Sequence, residues 1–429
     1  MARVGVIGAG CSGITAIKNL LQAGVTDIVC YEKSNEIGGN WVYREANEHS
    51  SVYETTHLIS SKYLSAYLDF PMPDDYPDYP SHRQVLAYFQ RYAQHFGVEK
   101  YIQFNTAVTK VEKIAGERWR VTTDKGDVTE FDALMIANGH HWNPRMPTYA
   151  GKFAGEFTHS HHYKKAAPYR DKRVLVIGAG NSGCDVAVEV SRIADRCDLS
   201  MRRGYYIIPK FLFGKPTDTF NGIITKLPDF LAAPARRLGL YMQVGNYADY
   251  GLQIPDYPLL KSHPVANSEL LYFIRHGKIK PRVDVARFEG NTVHFTDGSS
   301  ADYDTVVAAT GYHISFPFLD KSIVDFDDAD RIPLWLRCFH ANHKTLFFIG
   351  LVQPQGCIWP LADYQSKLVA NLVAGRWSLP DNLPQLAERD SDHIGKQFMA
   401  TKRHAIEVHY HPFVKELTKA MPKNAPEWR

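Results

Sequence analysis

Hydrophobic and polar positions along the chain form one local pattern that occurs twice. Near the N-terminus, the β-branched run 3–7 leads into a glycine-rich turn, after which apolar residues resume at helical spacing over 14–21. The same order returns with the run 173–177, a second glycine-rich turn and the helical segment 185–193. An apolar run that ends at glycines and resumes with a 3.6-residue period predicts a strand that leads directly into a helix. The sequence therefore predicts two strand–turn–helix units.

Both predicted turns carry glycines at the same GxGxxG spacing. They are Gly8, Gly10 and Gly13 in the first turn and Gly178, Gly180 and Gly183 in the second. At this spacing the first glycine permits the turn, the second lets a pyrophosphate approach the backbone, and the third lets the helix pack against the strand. The helix N-terminus offers its N–H groups to the phosphates. Because a strand and a helix frame each motif, the sequence predicts two dinucleotide-binding sites.

The residues after the next strand distinguish the two sites. In the first unit, strand 27–31 ends at Glu32, about 20 residues past the glycines, where a carboxylate accepts hydrogen bonds from a ribose 2′-hydroxyl. In the second unit, no acidic residue follows the strand, and Arg202, Arg203 and then Lys210 stand there instead. Guanidinium groups at this position favour the 2′-phosphate of NADP. The alternative meaning of the arginine pair is a solvated strand end.

The rest of the chain shows a less regular pattern. Segment 211–261 has no clean period, and we expect an irregular, partly helical excursion from the second unit that covers the active site. A hairpin is predicted by strands 285–288 and 292–295 around the turn residues Gly290 and Asn291. Buried strands are then predicted over 305–309 and 345–349, and both end at small residues that suit close approach to a cofactor.

The composition is that of a folded protein. Hydrophobic residues make up 45%, charged residues 22% and aromatic residues 12% of the chain, which is near the average for globular proteins. At roughly 150 residues per domain, the 429 residues have room for two or three domains. The net charge of +3 is spread along the chain without a basic block, which predicts neither a nucleic-acid nor a membrane partner.

The cysteines, histidines and N-terminus bear on compartment and metal binding. The six cysteines form no CxxC and no paired framework, which is typical of a reducing compartment. The chain opens with a strand, which leaves no room for a signal peptide, and no window approaches the ~18 apolar residues of a membrane span. We expect a cytoplasmic protein. Histidines at 140–141, 159–162 and 409–411 lack supporting Cys or carboxylate spacing, so no metal site is expected.

A motif between the two glycine units points to a known family. Phe153, Gly155, His159 and Tyr163 match FxGxxxHxxxY. With the two glycine turns and the segments 38–41, 69–71 and 309–312, the chain resembles the class B flavin-containing monooxygenases over nearly its whole length. Related Baeyer–Villiger enzymes carry Trp followed by Pro or Asp where this chain has Tyr163 and Lys164. The resemblance is therefore to the flavin-containing monooxygenase branch, and to its soluble members.

The resemblance implies a fold and a division into domains. The fold class is α/β, with two Rossmann-like dinucleotide-binding domains, the NADP domain being inserted into the FAD domain. Residues 1–165 are then the first part of the FAD domain and 283–429 its second part. Residues 166–282 form the NADP domain, with an irregular insertion at about 211–261. The motif FxGxxxHxxxY lies in the linker beside the nicotinamide cofactor in that family.

The resemblance also implies an activity. Family members use FAD and NADPH, form a flavin C4a-hydroperoxide with molecular oxygen, and oxygenate amines or sulfides; some atypical members use NADH and oxidise ketones. A homodimer is frequent in the family. The alternative is an NAD(P)H-dependent flavoprotein reductase or oxidase without oxygen transfer. A disulfide reductase needs a CxxC motif, which this chain does not contain. A non-catalytic nucleotide sensor is expected to have lost one of the motifs that this chain keeps.

The family positions can be carried onto this chain residue by residue. The FAD residues are Gly8, Gly10, Gly13, Glu32, Gly39, Trp41 and Gln353. The residues for the nicotinamide cofactor are Gly178, Gly180, Asn181, Ser182, Gly183, Arg202 and Arg203. Asn181 is expected to reach the pyrophosphate, to cap the following helix, or both.

One departure from the family concerns the flavin-contacting Asn. Counting back from segment 69–71 places Ile59 at that position, and an isoleucine cannot make the hydrogen bond. The neighbouring His57, Ser60 and Ser61 are the candidate catalytic residues that replace it. Of these, His57 is able to act on a proton near neutral pH.

Overall fold

The computed structural model describes residues 2–45, 49–224, 229–327, 329–399 and 404–422. It divides into two compact units. The first unit comprises Met1–Tyr43, Ser60–Asn143 and His313–Arg429, and the second comprises Arg44–Ile59 and Pro144–Tyr312. The chain therefore passes from one unit to the other four times, and each unit is built from separate stretches of sequence.

The described residues contain α-helices, β-strands and short 3₁₀ helices. The α-helices are α1 (Cys11–Gln22), α2 (Lys62–Ser65), α3 (His82–His95), α4 (Asn181–Val190), α5 (Thr217–Ile224), α6 (Asp229–Val244), α7 (Leu270–Arg275), α8 (Ile358–Val373), α9 (Leu383–Gln397) and α10 (Tyr410–Ala420). The 3₁₀ helices are Gly39–Trp41, Glu99–Tyr101, Ala115–Glu117, Ala167–Tyr169 and Tyr247–Tyr250.

The strands are mostly short. They are β1 (Val4–Ile7), β2 (Ile28–Tyr31), β3 (Ile102–Gln103), β4 (Val108–Ile114), β5 (Arg118–Thr123), β6 (Val128–Phe131), β7 (Ala133–Ile136), β8 (Asn143–Pro144), β9 (Ala150–Phe153), β10 (Glu156–His159), β11 (Arg173–Ile177), β12 (Arg196–Ser200), β13 (Ile207–Ile208), β14 (Phe211–Leu212), β15 (Lys215–Pro216), β16 (Val265–Ala266), β17 (Ile279–Arg282), β18 (Val285–Gly290), β19 (Thr292–Phe295), β20 (Ser300–Asp302), β21 (Thr305–Ala308), β22 (Tyr312–His313), β23 (Leu334–Trp335), β24 (Phe339–His340), β25 (Leu346–Phe348), β26 (Gln353–Pro354) and β27 (Glu407–Val408).

The first unit is built on a seven-stranded sheet in the order β23-β24-β25-β7-β1-β2-β3. Strand β1 pairs parallel with β2 and β7, and β3 and β25 continue the parallel pairing on either side. All four residues of β1 are buried, as expected for a parallel strand that is covered on both faces. A second, antiparallel sheet in this unit has the order β4-β5-β6. The predicted first strand–turn–helix unit is confirmed.

The second unit is built on a five-stranded parallel sheet in the order β10-β21-β11-β12-β17. The predicted run 173–177 is strand β11 at the centre of this sheet, and α4 follows it. The predicted hairpin is present as the antiparallel pair β18 and β19, which belongs to a four-stranded sheet in the order β20-β19-β18-β9. The second strand–turn–helix unit is therefore confirmed.

The unit boundaries differ from the predicted ones. The second unit begins at Pro144 instead of 166 and ends at Tyr312 instead of 282, and it also includes Arg44–Ile59. The reason lies in strand pairing. Strands β10 and β21 lie outside the predicted 166–282, yet β21 pairs with both β10 and β11. Such long-range pairing has no local signal in the sequence.

The predicted irregular excursion 211–261 is more helical than its sequence pattern indicated. It contains α5, α6 and the 3₁₀ helix Tyr247–Tyr250, while residues 225–228 lie outside the described residues. Several large apolar side chains of this segment are exposed. They are Phe211, Phe213, Leu238, Tyr241, Met242 and Ile254.

Candidate functional site

The first glycine turn brings strand β1 and helix α1 into backbone contact. Gly8 has φ +99°, a conformation that side chains rarely adopt, and a Cβ there would lie 2.7 Å from the Ala137 carbonyl oxygen. A Cβ on Gly13 would lie only 1.8 Å from the Gly8 carbonyl oxygen. The first and third glycines are therefore required by close packing, as the motif predicted.

The middle glycine of the turn faces a second glycine-rich segment. A Cβ on Gly10 would contact the Gly39 Cα at 3.6 Å, and Gly39 itself has φ +54°. Gly38, with φ +137°, begins this 3₁₀ turn. Helix α1 has Gly10 as its N-cap and no side-chain hydrogen bond at the cap. Two backbones without side chains thus meet at the start of α1, which is what a bound pyrophosphate requires.

Glu32 lies buried directly after strand β2. Its Oε2 accepts a hydrogen bond from the Ala9 N–H at 2.7 Å, and its Oε1 accepts one from the Ser34 N–H at 2.8 Å. The carboxylate is therefore held against the glycine turn by two backbone donors. Because a carboxylate offers about four lone-pair positions, each oxygen keeps acceptor capacity for the hydroxyls of a ribose.

Trp41 and Gln353 lie in the same unit as the first glycine turn. Trp41 ends the 3₁₀ turn Gly39–Trp41 and packs edge-on against Trp359, with ring centroids 5.7 Å apart. The Gln353 side-chain oxygen lies 3.3 Å from Nε2 of His140. Burial lowers the pKa of His140 to about 4 despite this hydrogen bond, so its imidazole is neutral near pH 7.

The second glycine turn repeats the packing of the first. Gly178 has φ +105°, and a Cβ there would lie 2.5 Å from the Ala309 carbonyl oxygen. A Cβ on Gly183 would lie 1.8 Å from the Gly178 carbonyl oxygen, the same distance as in the first turn. Gly180 is the N-cap of α4, again with no side-chain hydrogen bond at the cap. The second turn therefore repeats the backbone geometry of the first.

Asn181 does not cap α4, although capping was one of the two roles that we expected for it. Its side-chain oxygen instead accepts a hydrogen bond from the Ala266 N–H at 2.9 Å, which attaches strand β16 to the first turn of the helix. The sequence does not reveal this role because the two residues are 85 positions apart. The neighbouring Ser182 is exposed on the first turn of α4.

The two predicted arginines follow strand β12 in the same unit. Arg202 is exposed, whereas Arg203 is half-buried with its guanidinium 5.5 Å from the ring centroids of both Tyr205 and Tyr257. Lys210 donates a hydrogen bond to the Leu58 carbonyl at 3.2 Å. The structure therefore gives Arg203 a fixed orientation and leaves the Arg202 side chain at the surface.

The motif FxGxxxHxxxY is a structural element of the second unit. A Cβ on Gly155 would lie 2.4 Å from the Asp304 carbonyl oxygen. Phe153 ends β9 and packs in a core cluster, and His159 is buried at the end of β10. Burial and the neighbouring histidines lower the pKa of His159 to about 4. Tyr163 is fully buried and donates a hydrogen bond to Glu189 on α4 at 2.9 Å.

The residue after this motif is an unusual lysine. Lys164 is buried and donates to the backbone carbonyls of Ser50 and Val52. Burial lowers the pKa of Lys164 to about 8. The lysine thereby holds the Arg44–Ile59 segment to the motif within the second unit.

The candidate catalytic residues are distributed over both units. His57 is exposed in the second unit, with Nδ1 2.7 Å from the Thr55 carbonyl oxygen, and Ile59 is 43% exposed. In the first unit, the Ser60 hydroxyl lies 2.8 Å from the Ser65 hydroxyl, and Ser61 is buried as the N-cap of α2. Their assignment stays a prediction.

The part of the chain that the structure describes bears on metal binding and on membrane crossing. Within those residues, no group of three or more His, Cys, Asp or Glu side chains is arranged to hold a metal ion. In the same residues, every helix is too short or too polar to cross a membrane.

Sequence reasoning missed a cluster of buried charges around α1. Lys18 is 1% exposed and its ammonium lies 2.8 Å from Asp69 and 3.0 Å from Asp363. One local signal was available, because Lys18 interrupts the apolar residues of a predicted buried helix, and lysine is rarely buried without a partner. Its partners were not accessible, since they lie 51 and 345 positions away.

Comparison with known proteins agrees with this geometry. A family model described as flavin-binding monooxygenase-like matches residues 1–426. Flavin-containing monooxygenase 5 of Rattus norvegicus is 35% identical over 439 residues, which cover 97% of this chain and 82% of that protein.

Solved structures with low sequence identity share the fold. S-allyl-L-cysteine S-oxygenase from Allium sativum matches with a TM-score of 0.74 at 24% identity, covering 98% of this chain and 88% of that one. Cyclohexanone monooxygenase from Rhodococcus sp. Phi1 bound to NADP+ matches with a TM-score of 0.71 at 18% identity, covering 93% and 90%. The predicted α/β fold with two Rossmann-like domains is confirmed. Because the family model and the relative match nearly the whole sequence, this chain belongs to the family of flavin-binding monooxygenases, which are oxidoreductases.

Proposed function

We propose that this protein is an FAD- and NADPH-dependent monooxygenase that oxygenates small molecules at soft nitrogen or sulfur atoms. The observation that carries the cofactor assignment is the contrast between the two strand ends. A buried carboxylate, Glu32, follows the strand after the first glycine turn, and an exposed guanidinium, Arg202, follows the strand after the second. A carboxylate at this position accepts from ribose hydroxyls, and a guanidinium attracts a 2′-phosphate.

The first unit supports FAD. Its glycine turn presents the uncapped start of α1 to a pyrophosphate, and Glu32 is held close by the Ala9 N–H. Gly39 lets the neighbouring backbone approach Gly10 closely. When bound, the flavin supplies the activation of dioxygen and the transfer of one oxygen atom. The chain's own part is to bind the cofactor, orient it and limit water around it.

The second unit supports NADPH. The start of α4 is free of a side-chain cap, and Arg202 lies at the end of the adjacent strand β12. The tyrosine rings beside Arg203 hold its guanidinium plane in place. The related cyclohexanone monooxygenase was solved with NADP+, which agrees with this assignment. NADH is the weaker candidate because no carboxylate follows β12.

The substrate assignment draws on the relatives. A flavin-containing monooxygenase is among the similar sequences, and an S-oxygenase is among the similar folds. We therefore place sulfides and amines first and ketones second, since a cyclohexanone monooxygenase shares the fold. The chain carries Ile59 where the family resemblance expects an Asn, and we assign its role to one of His57, Ser60 or Ser61.

The proposal is tested by rapid-mixing absorbance spectroscopy. The purified flavoprotein is reduced with NADPH without oxygen and is then mixed with oxygenated buffer, with and without a dialkyl sulfide. We expect an absorbance phase that differs from both reduced and oxidised flavin, lasts for seconds without substrate and shortens when the sulfide is added. The sulfoxide is quantified in the same samples.

Two results would contradict the proposal. Immediate return of oxidised flavin with stoichiometric hydrogen peroxide, unchanged by sulfide, amine or ketone, would identify an oxidase. Reduction of an artificial electron acceptor without oxygen uptake would identify a reductase. Extraction of the cofactor by denaturation and chromatography tests FAD against FMN independently.

A further inference from the structure

One face of helix α1 is polar and buried. Thr15, Lys18 and Asn19 are each 1% exposed or less. All three donate to the same carboxylate oxygen, Oδ1 of Asp363 on α8, at 2.8, 3.0 and 2.6 Å respectively. The Lys18 ammonium also donates to Oδ2 of Asp69 at 2.8 Å. We call Lys18, Asp69 and Asp363 the Lys18 cluster.

The charges of the cluster are balanced inside the protein. Asp363 is fully buried, and Lys367 approaches its Oδ2 at 3.8 Å, so two ammonium groups face two carboxylates. Burial favours the neutral form of Asp363, but Lys18 and Lys367 together with the hydrogen bonds hold its pKa below the ordinary value. Asp363 therefore carries its negative charge inside the cluster.

The segment that contains Asp69 contacts α1 at a second point. The Tyr67 hydroxyl donates to the carbonyl oxygen of Cys11, the first residue of α1, at 2.6 Å. Tyr67 is 2% exposed and stacks on Tyr92 with ring centroids 4.1 Å apart. Cys11 and Lys18 are two helical turns apart, so the two contacts are separated by about 10 Å along the axis. Two directional contacts at this separation restrict both sliding and rotation of the helix.

We propose that the Lys18 cluster is a positioning device that sets the place of the first turn of α1. The reason is energetic. A buried ion pair adds little net stability compared with apolar residues of the same shape, because desolvation offsets the attraction. Its hydrogen bonds are directional, however, and well-packed apolar contacts alone fix a helix less strictly. The turn being positioned is the one that meets Gly39 and offers N–H groups to a phosphate.

The consequence for FAD rests on the proposed function, but the positioning itself does not. Two readouts therefore test the inference separately. Amide hydrogen exchange over residues 8–14 in the apoprotein reports the order of the turn without any cofactor. The dissociation constant for FAD, from fluorescence titration of the apoprotein, reports the consequence for binding.

The principal variant is Lys18→Met, which keeps the length of the side chain and removes its charge. We expect exchange at the turn to rise and FAD affinity to fall, each by about tenfold or more, as for the loss of a charged hydrogen bond. The matched control is Lys110→Met in the same unit, where the Lys110–Glu112 pair is exposed. It should change neither readout.

A double variant separates positioning from simple destabilisation. Lys18→Met leaves Lys367 alone to balance two buried carboxylates. Lys18→Met with Asp69→Asn returns the net charge to zero and keeps Lys367 facing Asp363, while the contact between residues 18 and 69 stays lost. We expect this variant to regain thermal stability and to keep the elevated exchange and the weakened FAD binding. If Lys18→Met does not fold, this variant and Asp69→Asn supply the same comparison.

The outcomes are decisive in either direction. A folded Lys18→Met or double variant with exchange and FAD affinity within about twofold of the wild type would overturn the inference, because twofold is below the loss of one hydrogen bond. Recovery of both readouts along with stability in the double variant would reduce the cluster to a structural role. If the wild type binds no FAD, the proposed function fails, and the exchange data alone decide the positioning.

Discussion

At the scale of single residues, two carboxylates on α4 hold tyrosines of the second unit. Glu189 accepts a hydrogen bond from Tyr163, and Asp185, one turn earlier, accepts one from Tyr53 at 2.8 Å. Burial raises the pKa of Glu189 to about 7, with Asp185 and Glu54 adding to the shift. The hydrogen bond from Tyr163 and the charge of Arg192 act in the opposite direction but are smaller than burial.

This shift predicts a pH-dependent stability. Between pH 4.5, the ordinary pKa of a glutamate, and about 7, the unfolded chain loses a proton that the folded protein keeps at Glu189. Stability therefore falls as the pH rises through this window, by up to about 3 kcal/mol, and is level above it. Glu189→Gln keeps an oxygen acceptor for Tyr163 and removes the titration. We expect the unfolding midpoint of the variant, relative to wild type, to increase from pH 5 to 8.

The control for this prediction is Glu289→Gln. Glu289 is exposed in the same unit, and its hydrogen bond with Arg287 lowers its pKa, so its contribution to stability has the opposite sign. A Glu189→Gln midpoint that runs parallel to wild type across pH 5–8 would show that Glu189 is ionised throughout.

Arg202 carries the prediction on cofactor choice. If its guanidinium meets the 2′-phosphate, Arg202→Ala should lower the ratio of kcat/KM for NADPH to that for NADH by about 10- to 100-fold, the value of a charge-assisted hydrogen bond. Steady-state kinetics with both cofactors measure the ratio. Arg287→Ala, an exposed arginine paired with Glu289, should leave it unchanged. An unaltered ratio in Arg202→Ala would favour the solvated strand end.

At the scale of secondary-structure elements, strand and helix meet through backbone atoms in both glycine turns. The Cβ of an alanine at position 13 would overlap the Gly8 carbonyl oxygen. Gly13→Ala should therefore displace α1 and cause loss of the flavin on gel filtration. We expect the free energy of unfolding to fall by about 3 kcal/mol or more, the upper end of the range for overpacking. Gly395→Ala is the matched control in the same unit. That glycine is exposed in α9, and a Cβ there would meet no atom of the described residues within 4 Å, so alanine should stabilise the helix by about 0.5–1 kcal/mol.

A buried carboxylate ties strands of the second unit together. Oδ2 of Asp198 on β12 accepts hydrogen bonds from Arg196, Arg282 and Tyr303, each at 2.7 Å. Burial opposes ionisation of Asp198, but its hydrogen bonds to these partners keep its pKa below the ordinary value. Because β17 and the segment after β20 both reach Asp198, this residue joins parts of the unit that the chain separates widely.

Removal of that charge should be costly. Asp198→Asn leaves two guanidinium groups facing a neutral amide, and we expect a loss of about 3–5 kcal/mol in the free energy of unfolding measured with urea. Asp304→Asn removes a carboxylate that is 39% exposed beside Arg173, and it should have a much smaller effect. Equal losses in the two variants would contradict the role of burial.

At the scale of the whole molecule, the chain contributes several separate stretches to each unit. The first unit needs residues from both ends of the chain, since β25 pairs with β7 and α8 packs on α1 through Asp363. No single cut in the sequence therefore separates the two units intact. Folding of either unit requires contacts between residues far apart in sequence, which form slowly because long loops must close first.

The cysteines give a prediction for the intact protein. All six are free thiols, and five of them are buried. Burial raises the pKa of the half-buried Cys11 to about 11, so it is protonated at neutral pH although it begins a helix. Mass spectrometry after iodoacetamide at pH 7.5 should find the native protein unmodified and the urea-unfolded protein with six adducts. Rapid labelling of Cys11 in the native protein would contradict the burial of its thiol.

The sequence by itself determined the local units of this protein. Gly8, Gly10 and Gly13 predicted their turn because only glycine tolerates the φ of +99° at the first position and the 1.8 Å approach at the third. The position of Glu32 directly after β2 and the hairpin of β18 and β19 were likewise predictable, since each follows from the pattern of residues close in the chain. Local backbone geometry is set by residues close in the chain, so short motifs such as the glycine turns predict it.

Tertiary structure alone decided which distant residues meet. Because β21 pairs with β10 and β11, the second unit extends beyond the predicted boundaries. Asn181 accepts a hydrogen bond from the Ala266 N–H instead of capping α4. Lys18 contacts Asp363, which lies 345 positions away in the sequence. A buried charge shows in the sequence that a partner must exist, because its desolvation has to be offset. The identity of that partner depends on how helices and strands pack against one another, and hydrophobic periodicity does not predict that packing.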